Sequence, residues 1–181
     1  YKANTTENRA RRDFYPQIVG VPDVALNGID FKSPNGVTTT VLDDLTGGTS
    51  WLSVQVSETS GADRDVTITL ENHGGASVES GTLFAVIVER EIMYEAPNGI
   101  DLHHNVFRKF LTPVEGEEVD LSGDMLTKTY DYAVDLEWQF EETYVVAWVM
   151  DPETKEVINS GTKFDEVVSS TSDIISTTPL E

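Results

Sequence analysis

Two adjacent histidines, His103 and His104, are the side chains of this 181-residue chain best suited to chemistry. They lie in residues 97–113, a stretch that opens with Pro-Asn-Gly, closes with Thr-Pro and also contains Arg108. In a strand, adjacent side chains point to opposite faces, so the two imidazoles are poorly placed to bind one metal ion together. We therefore assign His103, His104 and Arg108 to a candidate binding site. A metal site that joins Asp101 to His103 is the alternative.

Acidic residues form the second group of chemical interest, because calcium takes six to eight oxygen ligands. None of the acidic stretches has the spacing of an EF-hand loop, so a calcium site would have to be assembled by the fold. The alternative interpretation is a solvated acidic surface, with adaptation to high salt as a further one. We expect no cofactor, or calcium alone. The candidate calcium ligands are Asp43, Asp44, Asp63, Asp65, Glu117, Asp120 and Asp124.

The motifs of the common enzyme classes are missing from the sequence. It contains no cysteine, which excludes disulfides, thiolate metal ligands and thiol catalysis. It has no G-x-S-x-G nucleophile motif, and 32 acidic residues offer no means of selecting one glycosidase pair. We predict that the protein is not an enzyme and assign no catalytic residue. A hydrolase with a carboxylate- or histidine-based site is the alternative.

Charge limits the choice of partners. The chain has 32 acidic and 12 basic residues, a formal net charge of -20, which repels nucleic acid and anionic lipid. No apolar run approaches the roughly 18 residues of a membrane-spanning helix. We therefore expect a protein partner, without nucleic acid and without a direct membrane span. Because the chain begins at Tyr1, we expect a mature, processed or truncated product.

Alternating apolar residues predict strands from residue 51 onward. Residues 51–59 and 65–70 alternate with period two on either side of the turn-rich residues 60–64, which predicts a hairpin. Residues 81–89 are almost continuously apolar, as in a strand that is covered on both faces. Across residues 103–110, alternation places odd-numbered side chains on one face and even-numbered ones on the other, with a short helix as the alternative.

The second half of the chain continues this pattern. Residues 117–121 and 129–139 predict two strands, with every second residue of the latter pointing inward. Residues 143–150 predict a buried strand that turns at 151–154 and returns at 155–158. We therefore predict an all-β fold, an Ig-like antiparallel β-sandwich of roughly seven to nine strands.

The regions that flank the sandwich differ from it in composition. We assign residues 1–48 to an N-terminal extension with short helical segments, 49–164 to the sandwich, and the Ser/Thr-rich 165–181 to a tail or edge strand. Within the extension, Thr5 or Thr6 is the predicted cap of a short helix. An edge strand is predicted at residues 19–26, followed by an Asn-Gly turn, and a second short helix at 38–45.

Three segments carry a resemblance to a known family. They are YPQIVGVPDVALNG at residues 15–28, LFAVIVERE with HHNVFRKFL at 83–91 and 103–111, and YVVAWVMDPETKEVINS at 144–160. With them the sequence resembles the thioredoxin-like outer-membrane lipoproteins of Bacteroidetes-type bacteria, the Omp-twenty-eight-related group. In that pattern His104 and Arg108 occupy matching positions.

The resemblance implies that residues 15–28 correspond to the end of a thioredoxin fold, with a cis proline at Pro22, ahead of a β-sandwich. The cysteine pair of thioredoxins is missing, so no thiol oxidoreductase activity is expected. The implied location is secreted, at the cell surface or at the outer membrane.

We therefore predict a non-catalytic β-sandwich protein that acts in structure or interaction, with itself or another envelope protein as partner. Filament-type self-assembly by strand exchange through residues 1–35 is one version of this hypothesis. The alternatives are a calcium- or carbohydrate-binding module and an accessory domain of a thioredoxin-like envelope protein.

Overall fold

The computed structural model describes residues 4–20, 22–46, 48–96 and 99–165. It confirms the predicted all-β fold with antiparallel sheets. The strands are β1 Val24–Leu26, β2 Asp30–Lys32, β3 Leu52–Glu58, β4 Asp63–Asn72, β5 Ser80–Met93, β6 Leu102–Phe110, β7 Glu117–Asp120, β8 Met125–Ala133, β9 Thr143–Met150 and β10 Val157–Thr162. The helices are α1 Thr5–Asp13 and α2 Thr39–Thr46, with single 3-10 turns at Pro34–Gly36 and Phe140–Glu142.

Two sheets form the sandwich. One has the order β10-β9-β5-β6, with β7 paired to the first residues of β5, and the other has the order β3-β4-β8. The predicted hairpin of residues 51–70 is β3 and β4, joined in antiparallel register from Leu52↔Asn72 to Glu58↔Val66. The small hairpin β1-β2 turns at Asn27-Gly28, where both residues have positive φ, as the Asn-Gly signal predicts.

The main core lies between the two sheets and follows the period-two pattern. The side chains that fill it are buried and lie on the inward faces of their strands. From β3 and β4 they are Leu52, Val54, Val56, Val66, Ile68 and Leu70, and from β5 and β9 they are Leu83, Ala85, Ile87, Val145, Ala147 and Val149.

A second core covers the outer face of β5, which explains its continuous apolar sequence. Phe84, Val86 and Val88 point away from the first core and are buried in a cluster formed by the N-terminal segment together with residues of β6 and β9. Tyr15 is buried there, and the Phe84 ring stacks on Trp148 with centroids 5.1 Å apart. The N-terminal extension therefore packs on the sheet of its own chain.

Helix α1 contacts this second core through Arg11. Its guanidinium carbon lies 4.7–5.0 Å from the ring centroids of Phe14, Tyr15, Phe84 and Trp148. Arg11 Nη2 also donates to the Tyr15 hydroxyl at 2.7 Å. Such contacts between a guanidinium and aromatic faces stabilise packing without a carboxylate partner.

Four local predictions outside the sandwich need correction or fall outside the described residues. The cap of α1 is Asn4, whose side chain accepts from the Glu7 N–H at 3.2 Å, so the predicted cap at Thr5 or Thr6 is wrong. The predicted strand at 19–26 is reduced to β1. Val21, which precedes the predicted cis proline, and residues 166–181 of the predicted tail lie outside the described residues.

The predicted alternation along residues 103–110 is wrong at its end, because β6 contains a bulge. The pairing moves from Val88↔Phe107 to Ile87↔Lys109, so Arg108 is an extra residue on its strand. Phe107 and Phe110 therefore share the outer face, with ring centroids 5.2 Å apart.

Candidate protein-interaction site

Strands β5 and β6 extend beyond the rest of their sheet as a two-stranded arm. Strand β9 pairs with β5 only as far as Glu89, whereas β5 continues to Met93 and pairs there with β6 alone. The ladder ends with a hydrogen bond from the Tyr94 N–H to the Asp101 carbonyl oxygen at 2.8 Å. We call residues 90–96 and 99–104 the hairpin arm.

The tip of the hairpin arm exposes large apolar side chains. Met93 and Leu102 lie directly opposite each other in the register, so their side chains share one face. Met93 is 70% exposed and Leu102 is 42% exposed, and about half of the Tyr94 and Ile100 surfaces is also accessible. Because single exposed hydrophobics are common but clusters are not, this concentration makes the tip a candidate interaction surface.

The two predicted histidines lie on the hairpin arm and point to opposite faces. His103 pairs with Ile92, and its Nε2 is 3.1 Å from the Tyr94 carbonyl oxygen. His104 pairs with Glu91, and its Nδ1 is 3.5 Å from the Glu91 carboxylate. Among the described residues the two imidazoles therefore have different neighbours, the Tyr94 carbonyl oxygen for His103 and the Glu91 carboxylate for His104.

Arg108, the third predicted binding residue, lies at the base of the arm, and 9% of its side chain is exposed. It forms an ion pair with Glu89, whose side chain has no exposed surface. The second carboxylate oxygen of Glu89 accepts from the backbone N–H of Gln139. Glu89 thus joins β6 to the loop of residues 134–142, and Arg108 holds its charge inside the protein.

The loop of residues 134–142 adds a further exposed apolar group at this end of the molecule. Arg90 binds Glu142 with Nε 2.8 Å from Oε2, and this hydrogen bond lowers the pKa of Glu142. Leu136 is fully exposed. The prediction that residues 129–139 continue as a strand is wrong, because β8 ends at Ala133, and Leu136 does not point inward.

Carboxylates surround the apolar tip. Glu91, Glu95 and Asp101 are all exposed on the hairpin arm. An apolar surface with acidic groups around it favours an apolar partner surface that carries Lys or Arg at its edge.

Comparison with solved structures finds proteins with a similar fold. One solved structure with the same arrangement is HBP35 of Porphyromonas gingivalis, with a TM-score of 0.72 and 20% identity over 96% of this chain and 62% of that one. The chain has the fold of HBP35. A domain of the outer membrane lipoprotein Omp28 from Porphyromonas gingivalis is also similar, with a TM-score of 0.47 and 19% identity over 64% of this chain and 88% of that one. No family model and no curated protein matches the sequence.

These comparisons confirm the resemblance stated from the sequence at the level of the fold. At 20% identity, the similarity to HBP35 shows a shared fold and leaves the site to be argued from this chain's own residues. The chain spans 62% of the length of HBP35. No helix in the part of the chain that the structure describes has the length and apolar character needed to cross a membrane.

The predicted calcium ligands are dispersed over the fold. Asp43 and Asp44 lie on α2, Asp63 and Asp65 on β4, and Asp124 just ahead of β8. Glu117 accepts from Lys128 Nζ and the Tyr130 hydroxyl, which lowers its pKa, and Asp120 accepts from Ser122, which lowers its pKa also. Within the described ranges, no three His, Asp or Glu side chains form a group that could hold a metal ion.

Proposed function

We propose that this chain is a non-catalytic interaction domain of a cell-envelope protein and binds a protein partner at the hairpin arm. The observation that carries the proposal is the exposed pair Met93 and Leu102 on an arm that extends past its sheet. The envelope location rests on the sequence resemblance to envelope lipoproteins, and the shared fold of HBP35 supports it. An accessory role beside a further domain is part of the same proposal, because the chain covers 62% of HBP35.

The arm suits protein binding because its apolar surface is already ordered. The Met93 and Leu102 backbones are fixed by the β-ladder, so little backbone entropy is lost on binding. Covering apolar surface yields about 25 cal/mol per Å² before other costs of association are counted. The face that carries Met93 and Leu102 is open to a partner, whereas Ile92 on the opposite face is buried.

The charge of the hairpin arm indicates what kind of partner surface it favours. Glu91, Glu95 and Asp101 make the arm acidic on a chain of net charge -20, so a partner cleft with basic residues at its edge is favoured. Two copies of this chain would repel each other by the same argument. A second copy of this chain is therefore the alternative partner. Strand exchange through residues 1–35 has no support, because Tyr15 packs on the sheet of its own chain.

A site-specific crosslinking experiment tests the proposal. A photoreactive residue replaces Met93 in one preparation and Met125 in another, because Met125 on β8 is also largely exposed, at 61% against 70% for Met93. Each preparation is incubated with envelope extract of the producing cells, and any protein captured at position 93 alone is purified. We expect it to bind the unmodified chain, to bind at least ~10-fold more weakly to the Met93→Ser, Leu102→Ser double variant, and to lose affinity as salt rises.

Three results would contradict the proposal. They are equal capture at positions 93 and 125, a double variant that binds as well as the parent chain, and an affinity that does not change with salt. If a second copy of this chain is captured at position 93, and light scattering shows dimers that the double variant does not form, the proposed basic partner is wrong and the arm mediates self-association.

A further inference from the structure

A second surface of the molecule is an open groove beside β10, with a volume of about 640 Å³. Its walls come from four parts of the chain that the sequence separates widely: Asn27 of the β1-β2 turn, residues 45–46 with 48–51, Ser77, and Asp151 with residues 156–160. This volume lies within the range of small-molecule sites, roughly 300–1,000 Å³. We propose that the groove binds a neutral saccharide, with a sugar ring stacked on Trp51.

Trp51 provides an ordered apolar platform. The indole is half-buried, because part of it packs against the core between the sheets while the rest lines the groove. An aromatic ring held in this way contacts the C–H face of a pyranose at little entropic cost, since core packing already fixes its orientation.

Polar side chains in the groove are held in place by hydrogen bonds that leave acceptors available. Asn27 Nδ2 donates to Glu156 Oε1 at 3.1 Å, and Asn159 Nδ2 donates to the Leu52 carbonyl oxygen at 2.6 Å. Asp151 Oδ1 accepts from the backbone N–H groups of residues 153 and 154. Glu156 Oε2 and Asp151 Oδ2 therefore remain to accept hydrogen bonds from ligand hydroxyls.

The charge of the groove excludes the other common ligands. No Lys or Arg is present among the described residues that line it, whereas Asp151 and Glu156 contribute two carboxylates. An anionic ligand would meet repulsion without a counter-charge. Calcium is disfavoured because the described lining offers two carboxylates and belongs to no group of three acidic or histidine side chains. The side chains suit a ligand that donates several hydrogen bonds and presents an apolar face, which describes an uncharged sugar.

Calorimetric titration with defined oligosaccharides tests the inference. The panel contains neutral tetramers of β-1,3-glucose, β-1,4-glucose, β-1,4-xylose, β-1,4-mannose and β-1,4-N-acetylglucosamine, with tetragalacturonate and trilysine as charged comparators. We expect one or more neutral tetramers to bind with a Kd on the order of 0.1–1 mM and tetragalacturonate not to bind.

Two variants locate the site. Trp51→Phe reduces the stacking surface while keeping an apolar ring in the core, and Ser160→Tyr fills the groove from an exposed position on β10. Each should weaken sugar binding at least ~10-fold, a change of about 1.4 kcal/mol. Ser57→Tyr makes the same change at an exposed position on β3 and should bind like the parent chain. Unchanged unfolding midpoints show that a loss of binding is not a loss of fold.

The inference is overturned by any of three outcomes. These are no neutral tetramer bound below about 10 mM, binding that survives both variants, and binding of trilysine alone, which would assign the groove to a cationic ligand. Because the hairpin arm is unchanged in these variants, the outcome is independent of the proposed protein-binding function.

Discussion

Replacing Arg108 by leucine should destabilise the fold severely, although Arg108 has the residue type of a surface binding group. Its partner Glu89 is completely buried, and the two side chains form an ion pair at the base of the hairpin arm. Removing the guanidinium leaves a carboxylate inside the protein, where the Gln139 N–H is the remaining hydrogen-bond donor within the part of the chain that the structure describes. The cost is therefore dominated by the uncompensated charge and not by the lost side-chain volume.

The magnitude follows from measured cases of the same kind. Breaking a buried pair by removing one partner costs about 3–5 kcal/mol, out of a total stability of roughly 5–15 kcal/mol for a domain. For a chain of this length each kcal/mol lowers Tm by about 2–4 °C, so the expected loss is roughly 6–20 °C. Replacing both partners by leucine removes the stranded charge, and the double variant should recover much of the lost stability.

Urea unfolding followed by tryptophan fluorescence measures the effect. Lys109→Leu is the matched control, because Lys109 is the exposed neighbour on the same strand and its replacement should change stability by about 0.5 kcal/mol or less. A loss of less than about 1 kcal/mol in Arg108→Leu would refute the argument. So would a Glu89→Leu, Arg108→Leu double variant that is less stable than either single variant.

Two further predictions concern the acidic surface and the N-terminal helix. Hydrogen bonds from Lys128 and Tyr130 lower the pKa of Glu117 below its ordinary value of 4.5, so its contribution to stability is complete above that pH and is lost as the pH falls through the lowered pKa. Glu117→Gln should therefore flatten the decline of the urea midpoint below pH 4.5, whereas Glu118→Gln, at an exposed neighbouring position, should leave the decline as it is. Arg11→Met removes the guanidinium from its four aromatic neighbours and should speed amide exchange in residues 5–15 without changing exchange in the sandwich. Arg12→Met is the control, and equal exchange rates in the two variants would contradict the assigned role of Arg11.

Much of the sandwich could be predicted because its signals are local. Leu52, Val54 and Val56 alternate with polar residues, and their burial requires only that one face of the strand meets a core. The continuous apolar run at 81–89 likewise indicated two covered faces, and the structure supplies the second cover from the N-terminal segment. The β1-β2 turn was predictable because Asn-Gly adopts positive φ readily.

The departures arise where distant residues decide the local structure. The bulge at Arg108 exists because the guanidinium reaches Glu89 while Phe107 and Phe110 both reach the outer core, and strict alternation cannot satisfy all three. Leu136 continues the alternating pattern of β8 in sequence, yet the chain leaves the sheet after Ala133. The groove beside β10 could not be predicted either, because its walls come from residues far apart in the chain.

The buried ion pair also explains how an apolar tip can remain exposed on an ordered arm. Glu89 is the last β5 residue paired with β9, and its carboxylate binds both Arg108 and the loop at Gln139. Beyond this point the described backbone ladder of the arm joins its own two strands, and the Arg90–Glu142 ion pair adds a side-chain contact to the loop. A free two-stranded hairpin is marginally stable in water. The charge pair at its base therefore limits the motion of the segment that presents Met93. Arg108 is thus expected to affect partner binding through the position of the arm and not through contact with the partner.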